Sequence, residues 1–312
     1  MPVETSAKRP ASLLAESKRL LLGLMLCPLL ASAAEHVATV TLLEGGASLL
    51  RGTSRYALAE GVRLDHGDIL ELADKGLAQV EFTDGTLVAL GARSRFMVLS
   101  YPGSGPRGRG GGELFLLTGW IKVERTRPEP PVVARISTPL IEVAIANTAA
   151  VMNNSASEAA IFVESGEAKV AQVARGGHTE DPVRLKGSQF YTCKPDQRCV
   201  LAPRPSRPFL EGMPRSFTDT LPSRLARFKE RAVVPKRATD FTYAEVEGWI
   251  NSTPPVRRAI VRVWRSKASD PAFRSAIAAN MREHPEWDRV LNPEKYEDTP
   301  GSWGAKPAAE PK

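Results

Sequence analysis

The side chains that could carry nucleophilic, acid–base or metal chemistry are few and scattered along this sequence. Only four His and three Cys occur among its 312 residues. His66 lies between Asp65 and Asp68, a grouping that could bind a cation but is more typical of a polar turn. No serine-nucleophile elbow, zinc-protease motif or phosphate-binding loop occurs. We therefore predict no catalytic residue, no metal site, no cofactor and no enzymatic activity.

The N-terminus predicts export. Residues 1–19 carry basic side chains, residues 20–30 are uncharged and apolar, and small residues follow up to Ala34. This order is typical of a secretory signal peptide over residues 1–34, cleaved after Ala33 or Ala34. We expect a periplasmic or otherwise exported protein. The alternative is an uncleaved N-terminal membrane anchor, although the apolar run falls short of the roughly 20 residues that a spanning helix needs.

Cys193 and Cys199 have the spacing of a structural crosslink. Pro195 and Asp196 lie between them and favour a turn, so the two flanks are predicted to form a small hairpin. In an oxidising compartment two nearby cysteines favour a disulfide. The spacing differs from that of a redox-active pair, and zinc would need two further ligands. We predict a disulfide between Cys193 and Cys199 that stabilises the fold by roughly 2 kcal/mol.

Residues 35–200 alternate between apolar and polar side chains and are interrupted by turn residues at short intervals. Residues 78–82 and 86–90 alternate on either side of Asp84-Gly85, which is a strong hairpin pattern. Residues 102–112 are rich in glycine and predict a flexible loop that precedes a strand. Many short strands predict a mainly β fold, either stacked and solenoid-like or a sandwich, and the stacked form is favoured over a closed barrel.

Four segments between about Val40 and Val170 carry a recognisable pattern. They are Leu58-Ala59-Glu60-Gly61 with Leu64 and Gly67-Asp68-Ile69; Gly76 to Leu90 around Asp84-Gly85-Thr86; Leu116 to Val123 followed by Ser137-Thr138-Pro139; and Ile161 to Val170 around Gly166. Together they resemble the FecR-type domain, named for the periplasmic part of the ferric-citrate regulator. The family has a Gly-Thr dipeptide where this chain has Asn147-Thr148, and Asn can also adopt the left-handed conformation of a turn.

The resemblance implies a fold and a location in the cell envelope rather than a reaction, because none of its motifs contains a reactive group. The residues singled out are interpreted as structural turn motifs: Gly67, Asp68, Asp84, Gly85, Thr138 and Pro139.

A basic, Pro-rich linker is predicted over residues 201–237, with nine Lys plus Arg against three Asp plus Glu. Such a segment is typically extended or loosely structured. It could lie on an acidic polymer or an anionic surface, or be merely solvated. Residues 223–232 could form a short amphipathic helix with Ser223 as N-cap.

The apolar period changes to about 3.6 after residue 238, which predicts a small helical subdomain over residues 238–297. Asp270-Pro271 has the pattern of an N-cap followed by Pro at the first helical position. Trp249, Trp264 and Trp287 are predicted to anchor its core. Residues 298–312 are predicted to be a disordered tail.

Two classes of function remain. The first is a non-enzymatic, stand-alone exported FecR-type module that regulates or binds an envelope protein of unknown identity through strand edges or loops. The second is a structural envelope protein that binds peptidoglycan or another acidic polymer through its basic linker. A carbohydrate binder is a weaker option.

Regulators of this family also carry a cytoplasmic segment that binds a sigma factor, followed by a membrane span. Membrane-anchored sigma-factor signalling is therefore a further alternative, although only about 19 residues precede the apolar run. Export argues against nucleic acid as a partner.

Overall fold

Short alternating segments form sixteen strands in the part of the chain that this computed structural model describes, namely residues 36–100, 112–125, 133–174 and 177–297. The predicted signal peptide, most of the Gly-rich loop and the predicted tail lie outside these residues. The strands are β1 Ala38–Glu44, β2 Ala47–Arg51, β3 Ser54–Ala57, β4 Arg63–Leu64, β5 Ile69–Leu72, β6 Leu77–Phe82, β7 Leu87–Leu90, β8 Arg95–Ser100, β9 Glu113–Arg125, β10 Ala134–Ser137, β11 Ile141–Asn154, β12 Ala159–Gln172, β13 Val183–Lys186, β14 Phe190–Cys193, β15 Val200–Ala202 and β16 Lys236–Arg237.

All strands belong to one hydrogen-bonded network. Its main path runs β15-β14-β12-β11-β10-β9-β8-β5-β2-β3-β16. Strands β1, β4, β6 and β7 form a branch that joins this path at β9, and β13 pairs with β12. The pairing of β9 with β10 is parallel, and the other strand pairs are antiparallel. The network folds over one core that receives side chains from strands as distant as β1 and β14. The fold is therefore mainly β, as predicted, with its many short strands in one network.

Strand β9 changes partners along its length and thereby joins the two parts of the network. Residues 113–118 pair with β8 and β10, whereas residues 119–125 pair with β7 and β11. The change occurs at Gly119, which has a φ of +103°. A Cβ at this position would lie 2.5 Å from Ser94 Cα, so only glycine fits.

The expected left-handed turn at Asn147 is wrong. Asn147 and Thr148 lie inside β11, where the register with β12 shifts between Ile145 and Thr148. The positive φ is on the opposite strand instead, at Gly166, with a φ of +77°. A Cβ on Gly166 would clash with the Asn147 carbonyl oxygen. The bulge thus needs one residue without a side chain, and Gly166 supplies it.

The helical subdomain consists of short helices that pack against one outer face of the sheet. Its helices are α2 Tyr243–Ile250, α3 Pro254–Trp264, α4 Pro271–Ala279, α5 Asp288–Leu291 and α6 Glu294–Glu297, with 3-10 turns at Arg265–Ser269 and Pro285–Trp287. The Asp270 carboxylate caps α4 by accepting from the backbone N–H groups of Ala272 and Phe273, as predicted. Among the described helices, none is long and apolar enough to cross a bilayer.

The three predicted tryptophan anchors are confirmed as core residues. Trp249, Trp264 and Trp287 are almost fully buried. They share a cluster with Leu50, Ile69, Met97 and Phe115 on strands β2, β5, β8 and β9. The neighbouring residues Leu49, Leu70, Phe96 and Leu114 face the main core. These strands are therefore apolar on both faces, because the helical subdomain covers the outer one.

Residues 203–235 form a segment, here called the strap, that runs from β15 to β16 across the sheet. It contains α1 Arg207–Gly212 and 3-10 turns at Arg215–Phe217 and Leu225–Phe228. The structure differs from the expected loose linker, because Phe209 and Phe217 are buried against the sheet. The predicted helix capped by Ser223 is wrong: the turn begins after Arg224, and the Ser223 hydroxyl donates to Glu81 instead.

Replacement of Trp249 by Ala should show how strongly the helical subdomain is attached. The indole Nε1 donates to Glu71 Oε1 at 3.0 Å, and the ring is fully buried. We expect Trp249→Ala to lower the free energy of unfolding by roughly 3–5 kcal/mol. Trp249→Phe should lose less, because it keeps much of the ring contact. Urea unfolding measures both, and a loss below about 1 kcal/mol for the Ala variant would contradict this packing.

His284 should make stability depend on pH. Burial lowers the pKa of His284, and Arg257 adds to this, whereas Ile277 O, Glu286 and Glu283 oppose it. The folded protein therefore binds this proton less readily than the unfolded chain, whose His pKa is about 6.5. Stability should be complete above that pH and fall as pH drops below it.

Unfolding measured between pH 5 and 8 tests this expectation. The matched variant His284→Gln cannot titrate and should show a smaller dependence on pH in the same range. An identical pH profile for the two proteins would count against the assignment to His284.

Candidate interaction site

The turn at Gly67-Asp68 is held by a buried ion pair. Gly67 has a φ of +82°, and its N–H donates to Val98 O at 2.8 Å. Asp68 is buried and accepts from Arg51 Nε at 2.9 Å and from the Asp65 N–H at 2.8 Å. Burial raises the pKa of Asp68, and the Arg51 guanidinium opposes that rise. The carboxylate thus connects β2 to the start of β5.

Asp84 and Gly85 form the turn between β6 and β7. Gly85 has a φ of +84°, and Asp84 Oδ1 accepts from the Thr86 N–H at 2.9 Å. Arg125 Nη1 lies 2.7 Å from Asp84 Oδ2 and donates to Thr86 Oγ1 at 3.0 Å. Because Arg125 is buried at the end of β9, the ion pair attaches the hairpin tip to the long strand.

Thr138 and Pro139 form the turn between β10 and β11. Thr138 is buried, and its Oγ1 accepts from the backbone N–H groups of Leu140 and Ile141 at 3.2 and 3.0 Å. This is a hydroxyl-stabilised turn.

The three motifs therefore occupy three different turns and bind different partners. Each one ends or connects strands through its own side-chain contacts. No group of three or more His, Cys, Asp or Glu side chains that could hold a metal ion occurs within the described ranges. These motif residues therefore stabilise turns, and the surface most accessible to a partner lies elsewhere.

The predicted disulfide is confirmed. Cys193 and Cys199 are bonded across the β14–β15 hairpin, with a Cα–Cα distance of 4.3 Å. Asp196 at the turn has a φ of +58°. The Gln172 amide donates to the Gln197 carbonyl at 3.3 Å and attaches this turn to β12. The hairpin is thus constrained at its tip by a covalent bond and a hydrogen bond.

A cleft of about 760 Å³ lies beside this hairpin, and we call it the hairpin cleft. Its apolar lining comes from Val183, Tyr191 and Leu201, and its polar lining includes Glu180 and Arg198. Burial and the Glu180 charge raise the pKa of Tyr191. The phenol therefore stays protonated at neutral pH and can donate a hydrogen bond to a ligand in the cleft.

Strand β15 forms an open edge of the sheet at the hairpin cleft. It pairs with β14, and within the described chain no strand pairs with its other side. Val200 is 56 % exposed and Leu201 is 46 % exposed. An edge strand presents unpaired backbone N–H and C=O groups, so it can accept a strand from another protein. Neighbouring pockets then select side chains of the added strand.

Sequence reasoning identified the cysteines but missed the cleft. The apolar pair Val200-Leu201 directly after Cys199 was the available indication. Its two residues lie on opposite faces of an edge strand, so their exposure depends on which strands pair with β15.

Comparisons with known proteins give one family match and several distant structural similarities. Residues 68–169 match the FecR protein family model. No curated protein matches the chain. Two crystal structures of a candidate anti-sigma factor from Parabacteroides distasonis ATCC 8503, at 2.50 and 1.65 Å resolution, are 16% identical, with TM-scores of 0.37 and 0.36.

These alignments cover 46% and 44% of this chain, and 64% and 59% of those chains. The present chain thus spans a little under two thirds of their length. A structure described as a cell surface anchoring domain is 23% identical over 19% of this chain and 80% of that chain, with a TM-score of 0.19.

The family match covers most of three of the four resembling segments and the end of the first one. It therefore includes the turns at Asp68, Asp84 and Thr138. Residues 68–169 of this chain are therefore similar to the FecR protein family.

Proposed function

We propose that this protein is a non-enzymatic regulatory module of the cell envelope that binds another protein through the hairpin cleft. The FecR-type domain supports a regulatory role in signalling. Export, with cleavage near Ala33 or Ala34, would place the domain in the periplasm.

The open edge of β15 is the observation that carries the proposal. A partner strand added there would gain backbone hydrogen bonds, and its side chains would enter the hairpin cleft. Because β15 has only three residues, such an addition would be short. A short strand addition suits a contact that forms and breaks during signalling better than a permanent assembly. The disulfide would reduce the ordering cost on binding by constraining the hairpin in advance.

A photo-crosslinking amino acid at position 200 tests the contact in native cells. The matched control carries the same group at position 234, where Val234 is 86 % exposed but lies on the strap. We expect one dominant envelope protein to be captured from position 200 and not from position 234. Adding Leu201→Arg should weaken this capture about tenfold, equivalent to ~1.4 kcal/mol of binding.

Mass spectrometry of the captured species and sequencing of the mature N-terminus separate the alternatives. A start near Ala34 or Glu35 with a specific envelope partner supports the proposal. A retained N-terminus with a captured sigma factor would replace it by membrane-anchored signalling. Capture of peptidoglycan alone, released by salt, would indicate a structural protein that binds an acidic polymer.

Removal of the disulfide should weaken both the hairpin and the contact. We expect the double variant Cys193→Ser, Cys199→Ser to lose roughly 2 kcal/mol of stability, because the closed loop is short. Crosslinking from position 200 should fall in parallel, and reduction of the wild-type protein should reproduce both effects. Unchanged crosslinking in the reduced protein would show that the partner does not need an ordered hairpin.

A further inference from the structure

A row of buried ionic side chains on the outer face of the sheet binds the main chain of the strap. We call it the strap groove and define it by Gln79 and Glu81 on β6, Lys122 and Glu124 on β9, and Glu164 on β12. Glu81 is 2 % exposed and Lys122 is 1 % exposed. Charged side chains are almost never buried in this way without ionic or hydrogen-bonding partners.

Two carboxylates of the groove accept hydrogen bonds from the strap. Glu81 accepts from the Arg224 N–H at 2.6 Å and the Leu225 N–H at 3.2 Å. The Ser223 hydroxyl also donates to Glu81, at 2.7 Å. Glu124 accepts from the Leu221 N–H at 3.0 Å.

Two other groove side chains donate to strap carbonyls. Lys122 Nζ donates to Phe217 O at 2.8 Å and to Asp219 O at 2.9 Å. The Gln79 amide donates to Pro222 O at 2.8 Å. Apart from the bond from Ser223, all these strap partners are backbone atoms. The strap groove therefore recognises the main chain of an irregular segment between two 3-10 turns, and depends little on the side chains of the occupant.

Side-chain recognition is concentrated at one aromatic anchor. Phe217 is fully buried in a cluster with Ala89, Val151 and Ala160. Beyond this anchor the fit is incomplete, because a cavity of about 370 Å³ lies between the strap and the sheet near Leu77 and Leu221.

The ionic contacts between the groove and the strap favour reversible detachment of the strap. Buried ionic contacts add little net stability, because the charges lose their water when they are covered. If the strap leaves, Glu81 and Lys122 regain that water. The strap also covers apolar side chains, but the cluster of Phe209 and Phe217 with the sheet is much smaller than the one that removal of the helical subdomain would expose. The strap groove is thus suited to reversible occupation.

The net charge of the groove side chains favours an occupant of opposite charge. Glu81, Glu124 and Glu164 oppose the single cation Lys122, which lies 2.8 Å from Glu164 and 3.3 Å from Glu124. The surplus is negative. The stretch of the strap that spans the groove, residues 213–227, carries three Arg against one Asp.

We propose that the strap groove is a peptide-binding site for a basic segment of a partner protein with one aromatic anchor, and that residues 213–227 occupy it until displaced. This site is separate from the hairpin cleft, and the proposal does not rest on the function assigned there.

Hydrogen exchange of the unmodified full chain tests whether the strap opens by itself. The N–H groups of Leu221, Arg224 and Leu225 should exchange at least about tenfold faster than those of β11, because the strap opens without unfolding of the sheet. Equal protection at both places would show that the strap is a permanent part of the core, and would overturn the proposal.

A synthetic peptide spanning residues 213–227 tests binding by a separate molecule. The covalently attached strap competes at an effective concentration on the order of millimolar, so the wild-type chain should bind the peptide weakly. The full-length Phe217→Ala variant loses its own anchor but keeps the groove. We expect it to bind the peptide at least about tenfold more tightly.

Three matched controls make this result specific. A peptide that carries Phe217→Ala should not bind. Lys122→Met in the groove, added to the Phe217→Ala chain, should abolish binding, whereas Lys169→Met on the exposed side of β12 should not. Absence of peptide binding to a folded Phe217→Ala chain would overturn the proposal. Dimerisation of that chain without peptide binding would assign the groove to a second copy instead, and would also overturn it.

Discussion

Strand β9 hydrogen-bonds to four other strands, because it changes partners at Gly119. One end of β9 pairs with β8 and β10, and the other with β7 and β11. The outer surface of the sheet also has two covered regions along this strand. The helical subdomain covers the first through Phe115, and the strap covers the second through Lys122. The positions of the helical subdomain and of the strap depend on this division, since each packs against one region of the same long strand.

The two coverings use different chemistry, and this difference has consequences for dynamics. The helical subdomain attaches through apolar side chains, with Trp249 also donating to Glu71. Apolar burial is favourable only while water is excluded, so this contact should behave as part of the core. The strap attaches through ionic side chains that bind backbone atoms and through a small apolar cluster around Phe209 and Phe217. The ionic groups can bind water as well as protein, so these contacts add little net free energy to the covered state. The proposed regulatory role would need at least one contact of the second kind, because a switch requires two states of similar free energy.

The turn motifs that carry the resemblance to the FecR family stabilise turns and strand ends here. Asp68 and Asp84 each bind a buried or half-buried arginine, Arg51 and Arg125, and Thr138 binds its own turn. These contacts position strand ends and leave no reactive group exposed. Possible partner contacts lie instead at the rim, where β15 presents an open edge, and on the strap groove. A domain whose turn motifs lie away from its rim and groove can vary those surfaces without loss of the fold, because surface substitutions away from such networks cost little stability.

The mainly β fold, the disulfide between Cys193 and Cys199, the cap at Asp270 and the tryptophan core could all be predicted from the sequence, because each depends on local spacing or on the type of one residue. The consecutive apolar pairs Leu49-Leu50 and Phe96-Met97 could have indicated strands buried on both faces, although nothing local shows what covers them. The roles of Lys122 and Glu81 could not be predicted. In an alternating strand both occupy positions typical of a solvated face, and only the strap, about 95 to 145 residues further along the chain, buries them. The sequence by itself therefore determined the local elements and their turns. The tertiary structure alone decided which charged positions became a binding groove and which edge remained open, because both depend on contacts between residues far apart in the chain.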